Sequence, residues 1–141
     1  MKDNPIIEIL NVTKAYAGSE RPAVNNLSIS INKNETFGLL GPNGAGKTTT
    51  ISMLCGLIQP DQGSIKIKGI EIKNGAAKIK TIIGVVPQDI ALYPTLTGLE
   101  NLQFYGAMYG VPKKVLNERI DAWLKKFELE KFAKKRISSY S

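Results

Sequence analysis

Apolar and polar positions change rhythm several times along this chain. Pro5 to Val12 is rich in β-branched residues and predicts a strand. A loop with Gly18, Ser19 and Pro22 follows from Ala15 to Pro22. Leu27-Ser28-Ile29-Ser30-Ile31 alternates strictly and predicts a strand with one wet face. Thr36 to Leu40 and Ile82 to Val86 are short apolar runs, the pattern of parallel strands covered on both faces. Ser64 to Lys68 and Ile70 to Lys73 alternate on either side of Gly69, as antiparallel strands of an accessory sheet would. Helical spacing appears after Lys47, with apolar residues at Ile51, Leu54, Cys55 and Ile58. Asn74 to Lys80 fits a short helix. Thr97 followed by Glu100 is a capping-box pattern that opens a helix to about Tyr109, closed by Gly110 and Pro112. From Lys113 to Phe127, positions 116, 120, 123, 124 and 127 line one helical face, which places Trp123 in a core. A short helix is expected near Lys131. The chain thus divides into a mixed α/β part, residues 1–88, and a helical part, residues 89–141.

Composition adds a few bounds. The 141 residues are 43% hydrophobic, enough for a modest core. No apolar run approaches the about 18 residues of a membrane span. Met1 to Pro5 leads into no long apolar stretch, so no signal peptide is expected. The single cysteine, Cys55, falls on the apolar side of its helix and reads as a plain core residue. Net charge is +7, much of it in residues 113–136. Such a stretch fits either nucleic acid or anionic lipid, or the solvated faces of helices. The solvated-face reading is preferred, because no aromatic platforms of the single-strand-binding kind interleave the charges.

The chemistry concentrates in Gly41-Pro42-Asn43-Gly44-Ala45-Gly46-Lys47-Thr48-Thr49, which fits G-x-x-x-x-G-K-[ST] from Gly41 to Thr48. A predicted strand precedes it and a predicted helix follows it, the context that pattern needs. A phosphate chain must meet many donors at short range. The glycines let the backbone turn and approach without a Cβ in the way. Successive N–H groups make a concave anion site, and the helix start adds its dipole. Lys47 supplies a mobile charge for the β- and γ-phosphates. Thr48 supplies a hydroxyl for Mg²⁺, and Thr49 one within reach of the α-phosphate.

This segment resembles the Walker A sequence of the ATP-binding cassette (ABC) family, and the order of elements is similar over essentially the whole chain. The resemblance implies an α/β fold: a P-loop NTPase core with an antiparallel β accessory sheet and a helical subdomain. It implies ATP and Mg²⁺ as ligands. It assigns Tyr16, in the loop upstream of Gly41, to stacking on adenine, against the alternative of a half-buried loop tyrosine. It assigns Gln88, after Val85-Val86-Pro87, to Mg²⁺ or the attacking water, so that Lys47 and Gln88 are the candidate catalytic residues and Thr48 and Gln88 the candidate metal ligands. Gly98 and Asn34 depart from the residues more usual in the family. Leu92 to Leu102 with Tyr105 to Gly110 looks most like ATPases of multidrug-type exporters. Tyr93, Pro94 and Leu96 are either core or a surface for a membrane partner.

The family's signature is expected to open at Tyr140-Ser141, and the fold is expected to be incomplete at its C-terminus. No apolar run ends in Asp-Glu as a Walker B strand does, and there is no histidine. The expected function is therefore the ATP-binding subunit of a transporter, of export type, that by itself does not hydrolyse ATP. Its expected partners are membrane-spanning subunits and a second ATPase met head to tail, at the cytoplasmic face of the membrane, with no specific nucleic acid. The alternatives are a nucleic-acid-associated ABC ATPase and a non-catalytic nucleotide-binding fragment.

Overall fold

The computed structural model describes residues 5–89 and 91–140. Two compact units divide the chain between Val86 and Pro87.

The first unit is built on a four-stranded antiparallel sheet. Its strands are β1 (Ile7–Lys14), β2 (Val24–Ile31), β3 (Gln62–Ile67) and β4 (Ile70–Glu71), in the order β2-β1-β3-β4. The alternation of β2 is kept: Leu27, Ile29 and Ile31 are half-buried while Ser28 and Ser30 are exposed. In β1 the inward residues Ile9 and Val12 are three apart, not two. A bulge between them absorbs the extra residue, with Asn11 at φ 49°. The Asn11 N–H donates to Ser28 Oγ at 2.9 Å, and the Ser28 hydroxyl donates back to Asn11 Oδ1 at 3.0 Å. Two helices complete the unit, α1 (Lys47–Leu54) and α2 (Ile72–Lys80). They add Met53, Ile72 and Ile79 to a core otherwise formed by Ile9, Val12, Val24, Ile65 and Ile67.

Several expectations are corrected here. Ile72 and Lys73 begin α2 rather than extend a strand. The i, i+7 pair Ile72 and Ile79 puts both on the buried helix face, a spacing that alternation at 70 and 72 conceals. Helix α1 turns Thr50 and Met53 inward, while Ile51 is 46% exposed and Cys55 only partly buried. Thr36 to Leu40 and Ile82 to Val86 form no strand. Among the described residues no segment pairs with either, and Leu40 and Val86 are 91% and 95% exposed. An apolar run becomes a buried strand only where neighbours take its backbone N–H and C=O groups and cover its side chains.

The second unit contains α3 (Gly98–Met108) and α4 (Lys113–Lys126), followed by short 3₁₀ turns at Glu130–Phe132 and Ile137–Ser139. The Thr97–Glu100 capping box forms as predicted. The helices meet closely where α3 carries Gly106, since any Cβ there would collide with the Leu116 side chain. The chain from Ala133 to Ser138 returns along residues 94–99. Its carbonyls at Lys135 and Ala133 accept from the Gly98 and Leu99 N–H groups at 3.1 and 2.8 Å. Trp123 is not core. It is 50% exposed and stacks on Phe127, with Lys126 Nζ 4.8 Å from its ring centre. Ile120 and Leu124 hold the inward positions of α4, and Trp123 sits at the edge of that stripe. The expected signature start includes Ser141, which lies outside the described residues.

Candidate functional site

The turn from Gly41 to Gly46 delivers the chain into α1. Gly44 and Gly46 both adopt φ 82°, the left-handed region that an L side chain rarely enters. Gly46 is the residue before the helix, and it is pinned against the start of β2. A Cβ at this position would run into the Ala23 carbonyl oxygen. Only glycine satisfies both constraints.

That geometry leaves the helix start open. The first N–H to find a carbonyl is that of Thr50, which donates to Gly46 O at 2.8 Å, and the Thr50 hydroxyl donates to the same oxygen at 2.9 Å. The N–H groups of Lys47, Thr48 and Thr49 precede this bond, and no side chain caps the end. No acidic residue stands in the first turn. In α3 the same kind of donors are occupied by the Thr97 hydroxyl and the Lys135 and Ala133 carbonyls. One helix start is closed by the fold; at the other, among the described residues, no carbonyl or side chain takes the first N–H groups, which stand at the positive end of the helix dipole.

Lys47 folds back across the turn, its Nζ donating to Gly41 O and to Pro42 O, each at 2.7 Å. Both acceptors are neutral carbonyls. Phosphate oxygens would offer the same ammonium an anionic acceptor, so that both partners are charged and the bond is stronger. Tyr16 reaches the other end of the loop. Its hydroxyl lies 3.4 Å from Thr49 Oγ1, and the side chain remains half exposed. The structure therefore brings Tyr16 to Thr49 and Lys47 to Gly41 and Pro42. Gln88 belongs to the second unit, where it is exposed in a bend after Pro87.

Two residues that the sequence reading passed over fix local backbone, one in each unit. Asp61 accepts from Lys14 Nζ at 2.7 Å and from the Ala15 N–H at 2.8 Å, directly before Tyr16. The Ala15 N–H, and then the Lys14 ammonium, hold its carboxyl below the usual carboxylate range. Asn101, fully buried in the second unit, accepts from the Tyr93 N–H at 2.8 Å and donates to Tyr93 O and Thr97 O. A turn aspartate and an asparagine amid the apolar residues of α3 were the only signals for them.

Among the described residues no cluster of three or more His, Cys, Asp or Glu side chains gathers around a metal position. The sequence-based metal candidate Thr48 stands in the first turn of α1, and a Mg²⁺ ion there would take its other ligands from phosphate oxygens and water. Magnesium commonly keeps waters and phosphate oxygens around it in this way. Among the described residues no helix is long and apolar enough to cross a membrane.

Residues 24–141 match the family described as ABC transporter. The chain is 46% identical over 136 residues to the linearmycin resistance ATP-binding protein LnrL of Bacillus subtilis (strain 168), covering 96% of this chain and 43% of that protein. It is 39% identical over 137 residues to the Nod factor export ATP-binding protein I of Ralstonia nicotianae, covering 97% and 42%. Among solved structures it resembles the ATP-binding cassette MJ0796, described as a dimer in a post-hydrolysis state bound to ADP and Pi. The TM-score is 0.75 at 28% identity, covering 96% of this chain and 63% of that one. The chain thus spans about two fifths of the length of these two curated relatives.

Proposed function

This chain belongs to the ABC transporter family, and we propose that it is the nucleotide-binding part of an exporter, taking MgATP at residues 41–49. One observation carries the reading: the open start of α1, with Gly46 left-handed beneath it and Lys47 spanning the loop. In this proposal the N–H groups from Gly44 to Thr49 receive the phosphates. Lys47 exchanges its carbonyl partners for phosphate oxygens, Thr48 ligates Mg²⁺, and Tyr16 offers its ring to the base. Gln88 serves the metal or the attacking water.

The direction, export, is supported by the name of one curated relative, the Nod factor export ATP-binding protein I. The partners we propose are membrane-spanning subunits at the cytoplasmic face and a second ATPase met head to tail. Support for a docking surface comes from the second unit, where Leu92, Tyr93, Phe104, Met108 and Tyr109 are exposed apolar residues. Leu96, a sequence-based candidate for that surface, is only partly exposed. The 141 residues alone are proposed not to hydrolyse ATP, because their sequence holds no acidic Walker B partner for the metal.

A ligand series tests the reading. In calorimetric titrations with Mg²⁺ present, affinity should fall from ATP through ADP and AMP to adenosine, because the backbone donors bind the phosphate chain. A flat series, or adenosine binding as well as ATP, would rule out this loop as the phosphate site.

A further inference from the structure

The loop that carries Tyr16 is held in place by little apolar packing. Residues 15–22 are all exposed. At its near end Thr13 and Lys14 still belong to β1 and pair with Gln62 and Val24, and one residue in the turn between α1 and β3 extends that hold to Ala15. Asp61 Oδ2 accepts from the Ala15 N–H at 2.8 Å, Oδ1 accepts from Lys14 Nζ at 2.7 Å, and the Asp61 N–H donates to Thr13 O at 2.9 Å. These three bonds engage the three residues immediately before Tyr16. Beyond Tyr16 the chain closes on itself, with the Ser19 N–H donating to Tyr16 O at 3.1 Å. The Tyr16 hydroxyl makes a long contact with Thr49, and about half of the side chain is exposed.

We infer that Asp61 is a positioning residue for base recognition: it clamps residues 13–15 to the turn that follows α1 and so presents the Tyr16 ring beside the phosphate loop. This rests on the proposed role of Tyr16. Two of the three bonds use the carboxylate, and a bond to an ionised acceptor is the stronger kind. The clamp ties the base platform to the same helix whose start receives the phosphates, through a turn at that helix's far end. Without it, a solvent-exposed loop would have to be ordered at each binding event, and the affinity would carry that entropy. The alternative is that Asp61 only ends the β1–β3 ladder, which would affect folding and every ligand alike.

The two roles separate in a titration of the purified protein with MgATP and with magnesium tripolyphosphate, which has the phosphate chain and no base. Asp61→Ala should weaken ATP about two- to tenfold, the cost of ordering one or two side chains, and leave tripolyphosphate unchanged. In a Tyr16→Ala background the same substitution should make no further difference to ATP. If the alanine variant does not fold, Asp61→Asn is put through the same comparison. It loses the Lys14 ion pair, keeps an oxygen for the Ala15 N–H, and should show a smaller loss confined to ATP. Equal losses for both ligands, a full loss persisting in the Tyr16→Ala background, or no loss where Tyr16→Ala weakens ATP would each overturn the inference. If Tyr16→Ala itself leaves ATP affinity unchanged, the platform role of Tyr16 fails, and the inference fails with it.

Discussion

The hydroxyl of Tyr16 lies 3.4 Å from the hydroxyl of Thr49, which joins a residue from the loop after β1 to the last residue of the phosphate turn. In the proposed site, a base carried by a phosphate chain on residues 41–49 stacks on this ring. Stacking of a base on an aromatic contributes roughly 1–3 kcal/mol. Tyr16→Ala should weaken ATP binding about five- to a hundredfold, whereas Tyr16→Phe, which keeps the ring, should retain most of the affinity. Calorimetry that finds both variants equally weak would place the effect in the hydroxyl contact and not in stacking.

Much of this arrangement was legible in the sequence, and the exceptions have physical causes. The turn before α1 could be read because Gly44 and Gly46 meet backbone demands that other residues cannot. The capping box at Thr97 and Glu100 could be read because it is local, both partners lying within one turn. Thr36 to Leu40 and Ile82 to Val86 misled because a strand is a property of its neighbours as well as of its own residues. Trp123 misled because its position at the edge of an apolar stripe is compatible with either side. Asp61 was hidden because its partners, Lys14 and Ala15, are far away in sequence, and a turn aspartate needs no partner to be explained.

Gly98 is a departure from the family pattern that the structure accounts for. A Cβ at this position would collide with the Tyr140 hydroxyl, which donates to Phe132 O at 2.7 Å. Gly98→Ala should displace that hydroxyl and cost about 0.5–1.5 kcal/mol, the net worth of one hydrogen bond. In a Tyr140→Phe background the space is free, and the same change should be neutral or stabilising, since alanine is the better helix residue. A double-mutant cycle read by urea unfolding measures the coupling. Additive effects would show that the two side chains do not share that space.

Acid should loosen the start of α3. The Thr97 N–H, and after it the Thr97 hydroxyl, lower the Glu100 carboxyl from its ordinary value of 4.5, with a smaller contribution from the Arg136 charge. A carboxylate whose pKa is depressed on folding stabilises the fold above its unfolded value. That contribution is lost as pH falls from about 4.5 through the folded value. Glu100→Gln keeps an acceptor for the Thr97 N–H but cannot titrate, so its unfolding midpoint should vary less with pH below that point. Identical pH profiles for the two proteins would mean that Glu100 carries no part of the acid sensitivity.

Lys47 gives the most direct test of the phosphate site. Its ammonium now rests on the carbonyls of Gly41 and Pro42, 2.7 Å from each, and binding is proposed to exchange them for phosphate oxygens. Hydrogen bonds to charged groups are worth about 1.5–3 kcal/mol. Calorimetric titration of Lys47→Ala with MgATP should therefore show affinity about ten- to a hundredfold below that of the parent protein, while adenosine binds both alike. Unchanged MgATP affinity in Lys47→Ala, or an equal loss for adenosine, would contradict the account.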